Sequence, residues 1–260
     1  MILAYSYDMI RFFILLLTCS LAVGAHAQDF RPPELNVQFH RARTAWSTGN
    51  SLLEAKARID RVLAALPEDV EALKLRSSIL ADLGRDDTAF LDAAEAVKLA
   101  PEDGEAHLLL CESAARLDDI PKADQALETA SNLFLDGMDQ YVRLSACASS
   151  IGAHTRSESL ARVAVAQDGS DPRGHVQLAR AFLQAGRGVD ARAVLDRMVA
   201  ENLLPMRAVL ADSQLAQLYR DDIFDSYMGL WQLVQGTLVE DDGNPALWTT
   251  AGGDPLDAER

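Results

Sequence analysis

Aromatic side chains supply only 6% of this 260-residue chain, which also has just nine prolines, fifteen glycines and three cysteines. Ala, Leu, Asp, Glu and Arg dominate instead, a balance that favours helix over sheet. Positive charge is scarce too: 24 Lys and Arg against 39 Asp and Glu give a formal charge of −15 and a pI near 4.7. A surface of that sign repels nucleic acid and anionic lipid headgroups, and it keeps a helical protein soluble. Catalytic signatures are missing as well. No Gly-rich phosphate loop, His-Glu-x-x-His helix, Cys-x-x-Cys pair or Gly-x-Ser-x-Gly elbow occurs. Hydrophobic residues, by contrast, are not scarce: at 49% they are ample for a core and exclude disorder throughout.

Long apolar runs are limited to one, Phe12 to Val23, which follows Arg11 and precedes the small-x-small site Ala25-His26-Ala27. This order reads as a secretory signal peptide over residues 1–27, with Met9 as an alternative start. About a dozen apolar residues is short for a bilayer span. Cys19 lacks the small residue expected just before a lipidated cysteine, because Thr18 stands there. The expected location is therefore periplasmic or secreted, with an uncleaved or lipid anchor as the lesser alternatives. Two cysteines, Cys111 and Cys147, remain in the mature chain. They lie 36 residues apart, and the expectation is that they pack as buried free thiols rather than as a disulfide.

Shifted by 34 residues, the chain aligns with itself without a gap. Ala55, Ala89, Ala123, Ser157 and Ala191 fall in one column. Arg43, Ser77, Cys111, Ser145 and Ala179 make a second, and Asn50, Gly84, Asp118, Gly152 and Gly186 a third. Large residues recur at Phe39, Leu73, His107, Tyr141 and His175, and again at Trp46, Leu80, Ala114, Ala148 and Phe182. Each period reads as two antiparallel helices. The third column supplies left-handed helix ends, Pro67 and Pro101 stop second helices, and Asp69 and Asp103 cap the helices that follow. Small residues mark close helix approach, and stacking buries what one hairpin leaves exposed.

These columns resemble the tetratricopeptide repeat family, in an exported bacterial member. The resemblance implies an all-α, right-handed superhelical solenoid with repeats at 36–69, 70–103, 104–137, 138–171 and 172–205. Residues 28–35 form a lead-in, 206–239 a degenerate capping hairpin (helical spacing over 206–219 and 223–238) and 240–260 a flexible acidic tail containing Trp248. Leu135, Gly169 and Leu203 depart from the closing proline, and Arg43 from a small residue.

The resemblance also implies that first helices line a concave groove, with candidate partner-binding residues His40, Thr44, Glu71, Lys74, Ser78, Glu105, Glu112, Arg116, Val142, Ser149, Arg173, Val176 and Arg180. That groove would be acidic in its middle and basic toward Arg173 and Arg180. His40 and Thr44 occupy the first places of the family's carboxylate clamp, which disfavours a chaperone-tail receptor. No cofactor, metal or small-molecule substrate is expected. Of the mature histidines His40, His107, His154 and His175, two share a column two layers apart, too far for a common ion. The acidic pairs Asp118-Asp119, Asp221-Asp222 and Asp241-Asp242 read as solvated turn residues. The expected function is a non-catalytic periplasmic scaffold or adaptor in envelope assembly that binds a peptide or helix. The alternative is an accessory regulatory subunit of an envelope enzyme or cytochrome maturation system.

Overall fold

The 34-residue period becomes a spacing of helices. The computed structural model describes residues 31–49, 51–133 and 137–220. The expected signal peptide, Asn50, Leu135, Asp221-Asp222, the second half of the expected capping hairpin, the expected tail and Trp248 lie outside the described residues. First helices are α1 (Pro33–Ser47), α3 (Val70–Asp82), α5 (Gly104–Arg116), α7 (Met138–Ser150) and α9 (Pro172–Gln184). Second helices are α2 (Leu52–Ala65), α4 (Asp86–Leu99), α6 (Ile120–Asn132), α8 (His154–Gln167) and α10 (Gly188–Ala200). Every second helix starts 34 residues after the one before it. Among the described residues there is no strand, and no helix is long and apolar enough to cross a membrane.

The boundaries follow from the sequence. Leu66 and Ala100 precede prolines and leave the helix at φ −132°, the extended conformation that a following proline ring enforces. Asp69 accepts the Ala72 N–H, and Asp103 accepts those of Glu105 and Ala106, as helix N-caps. Gly84 (φ 69°) ends α3 in the left-handed region, and Asp118 occupies the equivalent place after α5 at φ 60°. In the first repeat the left-handed residue is Gly49, one position ahead of the column that Asn50 would continue. α1 starts at Pro33, so part of the expected lead-in is already helical; proline suits a first turn because its missing N–H is not needed there.

The chain divides into two compact units, residues 1–169 and 170–260. In the first, α1 to α8 pack each on the next, and α1, α3, α5 and α7 also pack first helix on first helix. Ala55, Ala89, Ala123 and Ser157 are fully buried, as a column of close helix approach requires. The second column shows one position used in two ways. Ser77 donates its hydroxyl hydrogen bond to the Ala89 carbonyl and Ser145 to the Ser157 carbonyl, each at 2.8 Å. Cys111, between them, is bonded to Cys147 instead.

That disulfide corrects the expectation of free thiols. Its Cα atoms are 6.3 Å apart, within bridging range. The 36-residue spacing exceeds the period by two positions, which is about 200° around a helix at 3.6 residues per turn. The excess turns Cys147 on α7 back toward Cys111 on α5, so what argued against pairing is what permits it.

In the second unit, α9 packs on α10. Residues 206–219 are not one helix: α11 (Met206–Ala211) stops at Asp212, which caps α12 (Ser213–Ala216) and leads into a 3-10 turn, Gln217–Tyr219. Asp212 takes Arg180 of α9 through both Nε (3.1 Å) and Nη2 (2.5 Å), and the Tyr219 hydroxyl donates to Asp196 at 2.7 Å.

Candidate functional site: a groove lined by first helices

Residues three or four apart share a helix face, so Ser78 and Asp82 on α3 line up, as do Glu112 and Arg116 on α5. With Trp46 of α1 and Asp139 and Arg143 of α7 they line a cavity of about 290 Å³, floored by small residues such as Ser77 and Ala81. Four consecutive first helices contribute to it.

Two pairs of its polar groups are held across neighbouring repeats. The Trp46 indole N–H donates to Asp82 at 2.6 Å, which orients the ring at one end. Arg143 grips Glu112 with both Nε (2.9 Å) and Nη2 (2.6 Å), a bidentate pair that joins α7 to α5. Ser78 donates to the Lys74 carbonyl and Ser113 to the Leu109 carbonyl, so their oxygens still have lone pairs to offer. Arg116 is held most loosely: its guanidinium, 45% exposed, is 3.9 Å from Asp86, an ion-pair distance beyond hydrogen-bonding range.

Beside the cavity, Lys74 is buried with its ammonium 2.6 Å from Glu71, 2.8 Å from Asp103 and 3.1 Å from Glu105. Burial disfavours that charge, but the hydrogen bonds to Asp103 and Glu71 and the charge of Glu105 outweigh it, raising its pKa above the ordinary lysine value. Lys74 is therefore an ion-pair hub that two repeats share.

The remaining candidates fall in different settings. His40 and Thr44 are exposed on α1, the first edge-on to Phe39 at 5.6 Å. Val142 is half-buried on α7, and Ser149 shares a 2.7 Å hydrogen bond with Ser157. Arg173, Val176 and Arg180 lie on α9 in the second unit. Arg173 is engaged by its own helix cap, Asp171, at 2.9 Å, and Arg180 by Asp212. Both aspartates titrate below the usual carboxylate value. For Asp171 the main cause is the Arg173 side chain; for Asp212 burial pushes up, and Arg180 with two backbone N–H groups overrides it.

Of the candidates, the structure brings Ser78, Glu112 and Arg116 together around one cavity, with Glu71, Lys74 and Glu105 forming a separate cluster. Sequence reasoning missed Trp46, Asp82 and Arg143. Trp46 reads as layer filling in its column, and the spacings Trp46–Asp82 and Glu112–Arg143 (36 and 31 residues) straddle the period, so no single column carries them. Among the described residues no group of three or more His, Cys, Asp or Glu could hold a metal ion.

No protein-family model matches the chain, and no curated protein does. Solved structures do. It is similar to PilW, a widely conserved type IV pilus biogenesis factor, at 18% identity over 84% of this chain and 100% of that one, with a TM-score of 0.62. A second likeness is TTC0263, a thermophilic tetratricopeptide repeat protein of Thermus thermophilus (17% identity, 71% and 98% covered, TM-score 0.58). A third is YrrB, a tetratricopeptide repeat protein with an unusual peptide-binding site (17% identity, 78% and 97% covered, TM-score 0.50). The fold is thus the all-α tetratricopeptide solenoid.

Proposed function

We propose that this chain is an exported, non-catalytic scaffold or adaptor whose first-helix groove holds a segment of a partner protein, extended or helical, during envelope assembly. The observation that carries the reading is the cavity lined by Trp46, Ser78, Asp82, Glu112, Arg116 and Arg143, where the Trp46–Asp82 and Glu112–Arg143 pairs are fixed across repeats before any ligand arrives. Fixed donors and acceptors reduce the ordering cost of binding. Trp46 offers an aromatic anchor, and Arg116 is the cation freest to reach a carboxylate on the partner. The peptide-binding site of YrrB and the pilus-biogenesis role of PilW, on the same fold, support a binding role of this kind. The disulfide supports export, since such bonds persist in oxidising compartments.

A photo-crosslinking amino acid at Ser78, compared with the exposed Leu91 on α4, tests the groove. Protein adducts from Ser78 that vanish in Arg116→Glu are expected. Equal yields from Leu91 would remove the groove from consideration, and an adduct that proves to be an enzyme whose rate changes would favour the accessory-subunit reading. Fractionation with thiol labelling tests the location; a cytoplasmic pool with free Cys111 and Cys147 would overturn export.

A further inference from the structure

α5 meets its neighbours differently on different sides. With α4 and α6 it lines a second cavity, of about 270 Å³, through His107 and Leu110. Toward α3, the aspartate that caps α5 serves twice: Asp103 accepts the Glu105 and Ala106 N–H groups and also receives Lys74 at 2.8 Å. Asp69 does the same one repeat earlier, capping α3 and receiving Arg31, whose Nη2 is 2.7 Å away. A cap that also takes a cation from upstream fixes the start of a first helix to what precedes it.

α7 lacks this device. The column of Asp69, Asp103 and Asp171 has glycine at position 137. Gly137 stands at φ 90°, and no side chain caps the helix. α7 is joined to α5 instead by the Cys111–Cys147 disulfide and by the bidentate Arg143–Glu112 pair. These two ties lie side by side, since Glu112 follows Cys111 and Cys147 is one turn beyond Arg143. The covalent tie is buried at both ends, whereas the side chains of the ion pair are 30% and 19% exposed. Asp139 and Arg143 are the share of the groove lining that α7 supplies, so whatever fixes α7 also fixes the groove.

We infer that the disulfide is a redox lock on the groove: oxidised, it holds α7 as the fourth helix of the wall, and reduced, it releases α7 from α5 and leaves the wall incomplete. For its consequence on binding, the inference rests on the groove reading proposed above. Locking takes two electrons and two protons from the thiols of Cys111 and Cys147 as their S–S bond forms; the acceptor is a disulfide-bearing oxidant, which leaves as a dithiol. A dithiol reductant runs the exchange backwards. Two unbonded sulfurs need more room than a bonded pair, and these two share a buried cluster with Leu108, Leu127, Leu144 and Ala148. In a close-packed interior that extra volume presses α7 away from α5. A chain still reduced thus presents only three fixed helices to a partner, and the preorganised groove exists only where disulfides persist.

The test compares amide hydrogen exchange of the full mature chain when oxidised, when reduced with a phosphine, and as the double variant Cys111→Ser with Cys147→Ala. That variant keeps residues the repeat already uses, because Ser77 and Ser145 share the column of Cys111, and Ala45 and Ala181 that of Cys147. The expected result is that α7 amides exchange about tenfold or more faster in both unlocked forms while α3 amides keep their rates. Unchanged α7 exchange would overturn the lock, and so would equal acceleration of α3 and α7, which would make the bond a staple of the whole array. Binding is read separately in cells from a photo-crosslinking amino acid at Ser78, at equal protein levels. The double variant should give about tenfold fewer protein adducts than the oxidised chain, as expected when a preorganised wall is lost. Equal yields beside a redox-dependent α7 would overturn redox control of the groove. No adduct from either chain, with α7 exchange still redox-dependent, would refute the groove reading and leave the lock standing.

Discussion

The two cavities of the first unit are close in volume and share α5, yet they are built from opposite materials. The groove is walled by Asp82, Glu112, Asp139, Arg116 and Arg143, and its groups are cross-bonded between repeats. The other is walled by alanines, Val97 and Leu110, with lysines at the rim and an unsatisfied histidine nitrogen. First helices pack on first helices and exchange long polar side chains across the groove, whereas α4 and α6 line the hollow largely with small and apolar residues and carry their lysines at its edge. A preorganised polar surface selects by hydrogen bonds; a hollow selects by shape and burial.

That contrast can be broken experimentally. The largest effect should come from Cys111→Ala with Cys147→Ala, which removes the covalent tie between α5 and α7 and lowers stability by about 2–4 kcal/mol. A denaturation midpoint that does not move, with reductant leaving the native protein unchanged, would show that α5 and α7 are held by packing alone. Ala89→Leu and Ala123→Leu, at fully buried positions of close helix approach, should each cost about 1–3 kcal/mol by overpacking. Unchanged melting of both would contradict the register.

Gly84→Ala isolates the turn between α3 and α4. Nothing lies within 4 Å of an added Cβ, so the loss of about 1–2 kcal/mol expected there is backbone strain at φ 69° alone. The Lys74 hub should appear as a dependence on alkaline pH. Its folded pKa is raised above 10.5, so its contribution is complete below that value and is lost as pH rises through the folded pKa. The stability difference between the wild type and Lys74→Met should therefore shrink above about pH 10.5; a constant difference would mean that the ion pairs contribute nothing. The smallest effect concerns the second unit. Arg180→Glu should destabilise modestly as well as alter binding, since it sets a carboxylate against Asp212, while Arg173→Glu, exposed beside its own cap, should leave melting nearly unchanged.

The repeat architecture was legible because packing imposes a period on the sequence. Ala55, Ala89, Ala123 and Ser157 had to be small for helices to touch, and Asp69, Asp103, Pro67 and Pro101 had to stand at helix ends to satisfy or stop the backbone. The chain by itself therefore carried the helical-hairpin character and the 34-residue spacing of the described second helices. It could not determine which side chains meet between repeats. The Glu112–Arg143 and Trp46–Asp82 contacts skip out of the period, and Asp212, which caps α12 at the break, is also held by Arg180 from another helix. Only the tertiary structure decided that Cys111 and Cys147 bond, that Lys74 is buried among carboxylates and that His107 keeps an unpaired nitrogen. The physical reason is common to all of these. Local pattern sets where a helix begins and which face it buries, whereas the partner of a side chain is chosen by the rotation of one helix against the next.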